Sequence, residues 1–450
     1  MARKFSAGHH IRAATLARGC TLAFMIAFDL IVDDYDTSGS LSPGPGPRDP
    51  SSSALCRRAE GLVTWDSVYF ARVATNGYEY EQTHAFFPLL PWLMRALSPL
   101  FGGGSCGVAV SGLAISNAAH VASAVALERL GTSILDDEVL ARAAAMLYAF
   151  NPAAVFHSAI YTEPLFAFLS FTGCLLLART RKNAACVAFA LASLARSNGV
   201  LNLIHLAFDF WRSALTPALR QMRRLWGEEE EGGGDVNGHE SAVARVKRRK
   251  RVAWAKGLAM ASIVFLARCV SVLTPTLWFQ WMGYRTFCLG GGDPNGYYAA
   301  NPRPWCASWR PFPNVYAFVQ DHYWNVGLFR YYSPKQLPNF LLALPALGAS
   351  VHAARAYVKG ADEDATWMRK EPLRPFMFQW CVMALAAAAV MHVQVATRFL
   401  SVSPAVYWYL ARVGANEGTG TRKMRRIVST YCVVFGLVGT LMFPTFYPWT

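Results

Sequence analysis

Several polar clusters in this sequence have residue types and spacings suited to proton or phosphate chemistry. The first is Thr64-Trp65-Asp66-Ser67, followed by Asn76-Gly77-Tyr78 and His84-Ala85-Phe86-Phe87-Pro88. Asp66 precedes an apolar-interleaved stretch, Val68-Tyr69-Phe70-Ala71, that suits an interfacial helix. A carboxylate held at a membrane surface can act as general base on a sugar hydroxyl. An aspartate ahead of a helix is also a good N-cap, and spacing alone leaves that account open. The second cluster is Asn151-Pro152 with Ser158-Ala159-Ile160-Tyr161-Thr162-Glu163-Pro164. Glu163 sits where one apolar run meets the next, so it is either functional or an acid answering a helix macrodipole. Arg196 and Arg398 are cations inside apolar segments. Arginine keeps its charge and grips phosphate bidentately, so a lipid phosphate would account for both. Pairing with Glu163 or Asp66 is the structural alternative.

A further stretch, Gln320-Asp321-His322-Tyr323-Trp324-Asn325-Val326-Gly327 with Arg330-Tyr331-Tyr332, mixes aromatic rings with hydrogen-bond donors. Sugar and headgroup recognition use that mixture, and so does an aromatic belt at a membrane interface. Cys288 and Cys306 flank a Gly/Pro-rich segment and can pair only in an oxidising compartment. No Walker loop, dinucleotide glycine pattern, GxSxG elbow or HExxH motif is present. A sugar donor would therefore be lipid-linked. The ten cysteines show no CxxC or Cys/His spacing, so no metal site is expected. Asp33 and Asp34 offer oxygens to a cation, but solvated charge accounts for them as well.

The elements that must hold these residues are membrane helices. Of the 450 residues, 54% are hydrophobic and only 16% charged, with mean hydropathy +0.22. Soluble domains carry about 25% charged residues. Apolar stretches near 13–32, 86–101, 107–128, 139–157, 162–178, 184–210, 253–281, 337–354, 375–411 and 427–447 predict an all-α polytopic bundle. About nine to eleven spans or partial spans are expected. The 86–101 stretch is short and holds three prolines, so it reads as re-entrant or interfacial. The 184–210 and 375–411 stretches are interrupted at Arg196-Ser197-Asn198-Gly199 and Thr397-Arg398, which predicts broken helices beside a cavity.

The net charge of +15 is concentrated between apolar segments, the positive-inside pattern rather than a nucleic-acid footprint. Arg3, Lys4, Arg12 and Arg18 place the N-terminus in the cytosol, ahead of a signal anchor. Residues 212–256 hold eleven Lys/Arg and form a cytosolic loop. The 33–84 loop, with eight acidic and four basic residues, faces the lumen, as does 282–336. Residues 1–450 then form one multispanning domain, with Pro/Gly/Ser-rich (42–53) and charged (227–251) insertions.

In order, Trp65-Asp66, Asn76-Gly77-Tyr78, Ala85-Phe86-Phe87-Pro88, Asn151-Pro152-Ala153, Ser158 to Glu163, Ala195 to Gly199, and His322 to Tyr332 resemble the GPI mannosyltransferase 2 family. Arg398-Phe399-Leu400 completes the series, and the resemblance covers about residues 60 to 412. Each motif alone is weak; their shared order is specific. The resemblance implies a multi-pass endoplasmic reticulum enzyme of the GT-C glycosyltransferase superfamily. It implies transfer of the second mannose, α-1,6, from dolichyl-phosphate mannose to a mannosylated glucosaminyl-phosphatidylinositol acceptor. A β-phosphate donor and an α product mean inversion, which needs one base and no covalent nucleophile. Asp66 matches the family's first-loop acid and is assigned as base, with Arg196 and Arg398 on the donor phosphate. Trp65, His84, Glu163, His322, Tyr323, Trp324 and Arg330 are assigned to the sugar or acceptor. The resemblance leaves a divalent cation and a small stabilising membrane subunit open. A GT-C enzyme with another acceptor, a polytopic lipid or polyol transporter, and a non-catalytic scaffold are the competing readings.

Overall fold

The computed structural model describes residues 8–35, 53–227, 242–290, 297–301, 303–307, 314–360, 363–415 and 419–449, and these are all helix, turn and connection, with no strand among them. The chain opens with α1 (His9–Ile31), α2 (Ala54–Gly61), α3 (Asp66–Asn76) and α4 (Leu89–Leu97). There follow α5 (Gly104–Leu135), α6 (Glu138–Ala149), α7 (Glu163–Ala178), α8 (Lys182–Ala195), α9 (Leu203–Phe210) and α10 (Thr216–Gly227). The second half comprises α11 (Ala242–Phe287), α12 (Tyr297–Ala300), α13 (Val315–Trp324), α14 (Leu337–Lys359) and α15 (Glu363–Met368). It ends with α16 (Arg374–Ala389), α17 (Ala396–Leu400), α18 (Pro404–Ala415) and α19 (Thr419–Met442).

Among the described residues, five helices are long and apolar enough to cross a membrane: α1, α5, and those spanning Arg245–Phe287, Pro334–Lys359 and Arg425–Met442. Leu89–Phe101, α7 and α8 are apolar but shorter. The expected spans thus divide into full-length helices and a set of partial ones. The Pro/Gly/Ser insertion (apart from Ser53, which caps α2) and the acidic run Glu228 to Gly234 lie outside the described residues. The expected loops are built structures where described: 33–84 contains α2 and α3, 212–256 contains α10 and the start of α11, and 282–336 contains α12 and α13.

α5 is the central post, packed against α7, α6 and α4. Its buried face is rich in small residues, including Gly112, Ser116, Ala119, Ser123 and Ala124. Small side chains let membrane helices approach closely where no hydrophobic gain drives them together. At Gly112 even a Cβ would come within 2.8 Å of the Ile160 side chain. The packing of α5 thereby fixes the 149–163 segment.

That segment is also tied down by Arg18, which the sequence places with the flanking cations. The structure corrects this. Arg18 is 3% exposed and donates to Ala154 O at 2.6 Å, Ser158 Oγ at 3.0 Å and Ala149 O at 3.4 Å. A buried guanidinium needs acceptors, and two carbonyls and a hydroxyl of this segment supply them to both terminal nitrogens.

Both interrupted stretches are broken, in different ways. α8 ends at Ala195, Arg196 is extended (φ −154°, ψ 151°), and a 3₁₀ turn over Ser197–Asn202 leads into α9. In the other, the expected break at Thr397-Arg398 is displaced to either side. α16 stops at Ala389 and Arg398 rides on the five-residue α17, which is followed by the turn into Pro404. Proline has no N–H to donate, so it serves well at the start of a helix.

Two disulfides join the segments at the α3 end. Cys288 bonds Cys306 (Cα–Cα 5.6 Å), the pairing open to the sequence, and Cys56 bonds Cys106 (Cα–Cα 5.0 Å).

Candidate active site

The four charged residues singled out from separate motifs meet in one row. Arg398 Nη1 donates to Asp66 Oδ2 at 3.0 Å. Its Nε lies 3.9 Å from Glu163 Oε1, and Arg196 Nη1 lies 2.6 Å from the same oxygen. Arg196 also donates to Thr162 Oγ1 at 3.2 Å. The order is therefore Asp66, Arg398, Glu163, Arg196, with alternating sign. Glu163 is 1% exposed and the Asp66 side chain 34%. The buried carboxylate anchors both cations, and the outer one is presented to the surroundings. An isolated buried charge is costly, and a row of alternating charges is how an apolar bundle keeps several.

The backbone places each member. Asp66 is the first residue of α3, yet its carboxylate caps nothing: the N-cap position is Trp65, and no side chain bonds the free amides there. The Asp66 amide donates instead to Tyr161 Oη at 3.3 Å. Glu163 opens α7, where its charge also suits the helix dipole. The Arg398 guanidinium lies over the rings of Phe156 (5.1 Å) and Tyr161 (5.3 Å), so the 149–163 segment is its floor. Trp65 has φ +53°, a conformation that a bulky side chain adopts only under constraint. The constraint is visible. Its Nε1 donates to Phe443 O at 3.2 Å and its ring leans on Phe446 at 6.1 Å, so the turn that follows α19 grips the residue before Asp66.

Of the remaining candidates, Tyr323 is held by a residue that sequence reasoning missed. Glu81, 1% exposed, accepts from Arg303 Nε at 2.8 Å and from Arg303 Nη2. It also accepts from Trp305 Nε1 at 3.0 Å and Tyr323 Oη at 2.7 Å. Burial pushes this carboxyl up, but the bonds from Arg303, Tyr323 and Trp305 outweigh it and hold the group below its ordinary value. Burial and Glu81 together push the Tyr323 phenol up to about 12. Tyr323 therefore fastens the 282–336 segment to the first loop. His322 stacks on Phe318 at 5.0 Å, and Trp324 meets Tyr69 and Phe86 edge-on at 6.3 and 6.0 Å. Arg330 pairs with Asp321. His84 is fully buried among Tyr78, Phe279 and Phe287. Burial lowers it to about 3, so it is neutral, and it lines no part of the charged row. Trp324 reaches toward the row through Tyr69 on α3, whereas His322 and Arg330 stand apart from it.

Ser197, beside Arg196, shares a hydrogen bond with Tyr316 of α13 at 2.9 Å, a link that no sequence signal announced. No cluster of three or more His, Cys, Asp or Glu suited to a metal occurs among the described residues.

Comparison with known proteins supplies the context. The GPI alpha-1,6-mannosyltransferase 2 of Cricetulus griseus is 34% identical over 90% of this chain and 84% of its own length. The human GPI alpha-1,6-mannosyltransferase 2 is 30% identical over 93% of this chain and 86% of its own. The GPI mannosyltransferase 2 of Chaetomium globosum is 30% identical over 95% and 92%. Among solved structures, the Archaeoglobus fulgidus oligosaccharyltransferase in the apo form aligns with TM-score 0.47 at 14% identity. That alignment covers 99% of this chain, which spans 57% of the length of that protein. The pattern of the mannosyltransferase (PIG-V) family matches residues 8–227 and 246–450. The chain belongs to the mannosyltransferase (PIG-V) family.

Proposed function

We propose that this chain transfers mannose from dolichyl-phosphate mannose to the 6-hydroxyl of the first mannose of a GPI precursor, on the luminal face of the endoplasmic reticulum membrane. The relatives named for α-1,6 mannose transfer to GPI support the linkage and the acceptor. One observation carries the chemistry: a partly exposed carboxylate, Asp66, held 3.0 Å from a cation that a buried carboxylate backs. Inversion at C1 needs a base beside the acceptor and positive charge toward the leaving phosphate. Asp66 takes the hydroxyl proton as the oxygen attacks C1. The C1–O bond to phosphate breaks, and its electron pair leaves with dolichyl phosphate. Protonation of Asp66 weakens its hold on Arg398 as the phosphate gains charge, so the guanidinium is released toward the leaving group. Charge that is oriented in advance costs no reorganisation in the transition state. Arg196, fixed by Glu163 and Thr162, supplies the second cation.

The luminal placement is supported by the basic clusters at the opposite ends of the spans and by two disulfides, which persist in oxidising compartments. Trp65, Tyr323 and Trp324 offer rings for sugar stacking.

The test is conversion of a one-mannose GPI precursor in microsomes that lack their own second GPI mannosyltransferase, with radiolabelled dolichyl-phosphate mannose. Wild type is expected to yield the two-mannose species, and Asp66→Asn to lose roughly 10²- to 10⁴-fold in rate. Equal rates would move the base elsewhere, and an inactive but well-folded wild type would discard the acceptor.

A further inference from the structure

Directly behind the site lies a buried polar chain that the transfer chemistry does not use. His120 of α5 and His157 face each other Nδ1 to Nδ1 at 3.0 Å, and His157 Nε2 lies 2.9 Å from Ser401 Oγ. Ser401 Oγ donates to the carbonyl of Arg398 at 2.6 Å. Both histidines are 0% exposed, and Ser401 is 4%.

The proton arrangement follows from counting donors. Ser401 has one hydroxyl hydrogen and gives it to Arg398 O, so its oxygen must accept from His157 Nε2–H. A neutral His157 then presents a bare Nδ1, which accepts from His120 Nδ1–H. Tyr148 Oη, 3.4 Å from the same nitrogen, is a second donor. One tautomer of each ring makes every bond from His120 to Ser401. Ser401 is held from two further sides, its amide donating to Thr397 O at 3.1 Å and its carbonyl accepting from Tyr407 Oη at 2.7 Å.

We propose that His157 is a positioning residue for Arg398. The five-residue α17 is too short to hold its own orientation by helical bonds alone, and Arg398 must reach Asp66 and Glu163 at once. His157 sets the turn after α17 from behind, while its neighbour Phe156 supports the guanidinium from below. One short segment therefore fixes both the backbone and the side chain of the cation. The proposal rests on the reading of Asp66 and Arg398 as base and phosphate partner.

The experiment compares His157→Leu, His157→Gln and Ser401→Ala, each alone and combined with Arg398→Lys, in the full-length protein. Rates are normalised to detergent-extracted protein with unchanged size-exclusion elution. His157→Leu is expected to lower kcat by at least about tenfold, with the acceptor KM unchanged, since small misplacements at a site cost rate. His157→Gln keeps an amide donor and should recover to within about threefold of wild type. With Arg398→Lys already present, His157→Leu should cost no more than about twofold, because its effect runs through Arg398. An equal loss in both backgrounds, or a normal kcat per folded molecule, would overturn the proposal. If His157→Leu does not accumulate, Ser401→Ala carries the same comparison. An inactive wild type would defeat the functional reading instead. The same pairs of variants, read as unfolding midpoints, would then decide the positioning role: coupled shifts support it and additive shifts refute it.

Discussion

Glu163 lies 2.6 Å and 3.9 Å from two arginines in a position with almost no solvent, so its charge is shared by both. Replacing it with glutamine keeps the shape and removes the charge that Arg196 and Arg398 share. Breaking one side of a buried pair typically costs about 3–5 kcal/mol, because the partner remains buried and uncompensated. Glu163→Gln is therefore expected to lower the unfolding midpoint strongly, by more than Asp66→Asn, whose partner Arg398 retains Glu163. A midpoint for Glu163→Gln equal to that of wild type would show that the row is not structurally coupled. At this scale the sequence singled out the four charges but not their arrangement. Asp66, Glu163, Arg196 and Arg398 each stood out as a charge beside an apolar run. That Arg398 sits between two carboxylates depends on residues 332 positions apart in the chain, a relation no local pattern encodes.

At the scale of elements, the break after α8 shows how a helix end can deliver a charge into a bundle. Gly199 lies so close to the last turn of α8 that an added Cβ would stand 2.4 Å from Ser193 Cα and 2.5 Å from its amide nitrogen. Those are backbone atoms, so the turn itself must move. Gly199→Ala is expected to destabilise the protein by about 1–3 kcal/mol, the usual range for overpacking. It should also slow mannose transfer per folded molecule, since the displaced turn carries Arg196 and Ser197. Unfolding midpoints and normalised rates check both; a rate unchanged beside a lowered midpoint would separate this turn from the chemistry. The interruption itself was legible because Arg-Ser-Asn-Gly cannot continue an apolar helix. The break near Arg398 was legible only to within about two turns: Thr397 and Arg398 are themselves helical, and the chain leaves the helix on either side of α17. Arg18 was misread for a related reason. A cation near the start of a span normally seeks the interface, and here the Ala149 and Ala154 carbonyls and the Ser158 hydroxyl make an interior position favourable.

At the scale of the whole molecule, the two segments at the α3 end are fastened through Glu81, whose bonds to Arg303, Trp305 and Tyr323 cross more than 220 residues of sequence. Composition predicted an all-α membrane bundle. It gave no reason to join Glu81 to Arg303, since neither belongs to a motif or a run of charge. The Cys288–Cys306 bond sits beside the same contact and keeps Trp305 near α11. In the folded chain the Glu81 carboxyl is held below its ordinary value by the donors around it, against the effect of burial, and in the unfolded chain it returns to that value. Its bonds therefore stabilise the fold fully above the unfolded pKa, and the contribution is lost as pH falls through the lower folded value. Near neutral pH, Glu81→Gln should unfold at a lower temperature than wild type, because glutamine offers Arg303 no charge and a single acceptor oxygen. As the solution is acidified below the ordinary carboxylate range, the wild-type advantage should shrink, since wild type then also carries a neutral side chain at this position. Midpoints measured for both proteins across that range test the argument. A gap that stays constant into strong acid would mean that Glu81 contributes its shape and not its charge, and that the disulfide and ring contacts alone hold the segment in place.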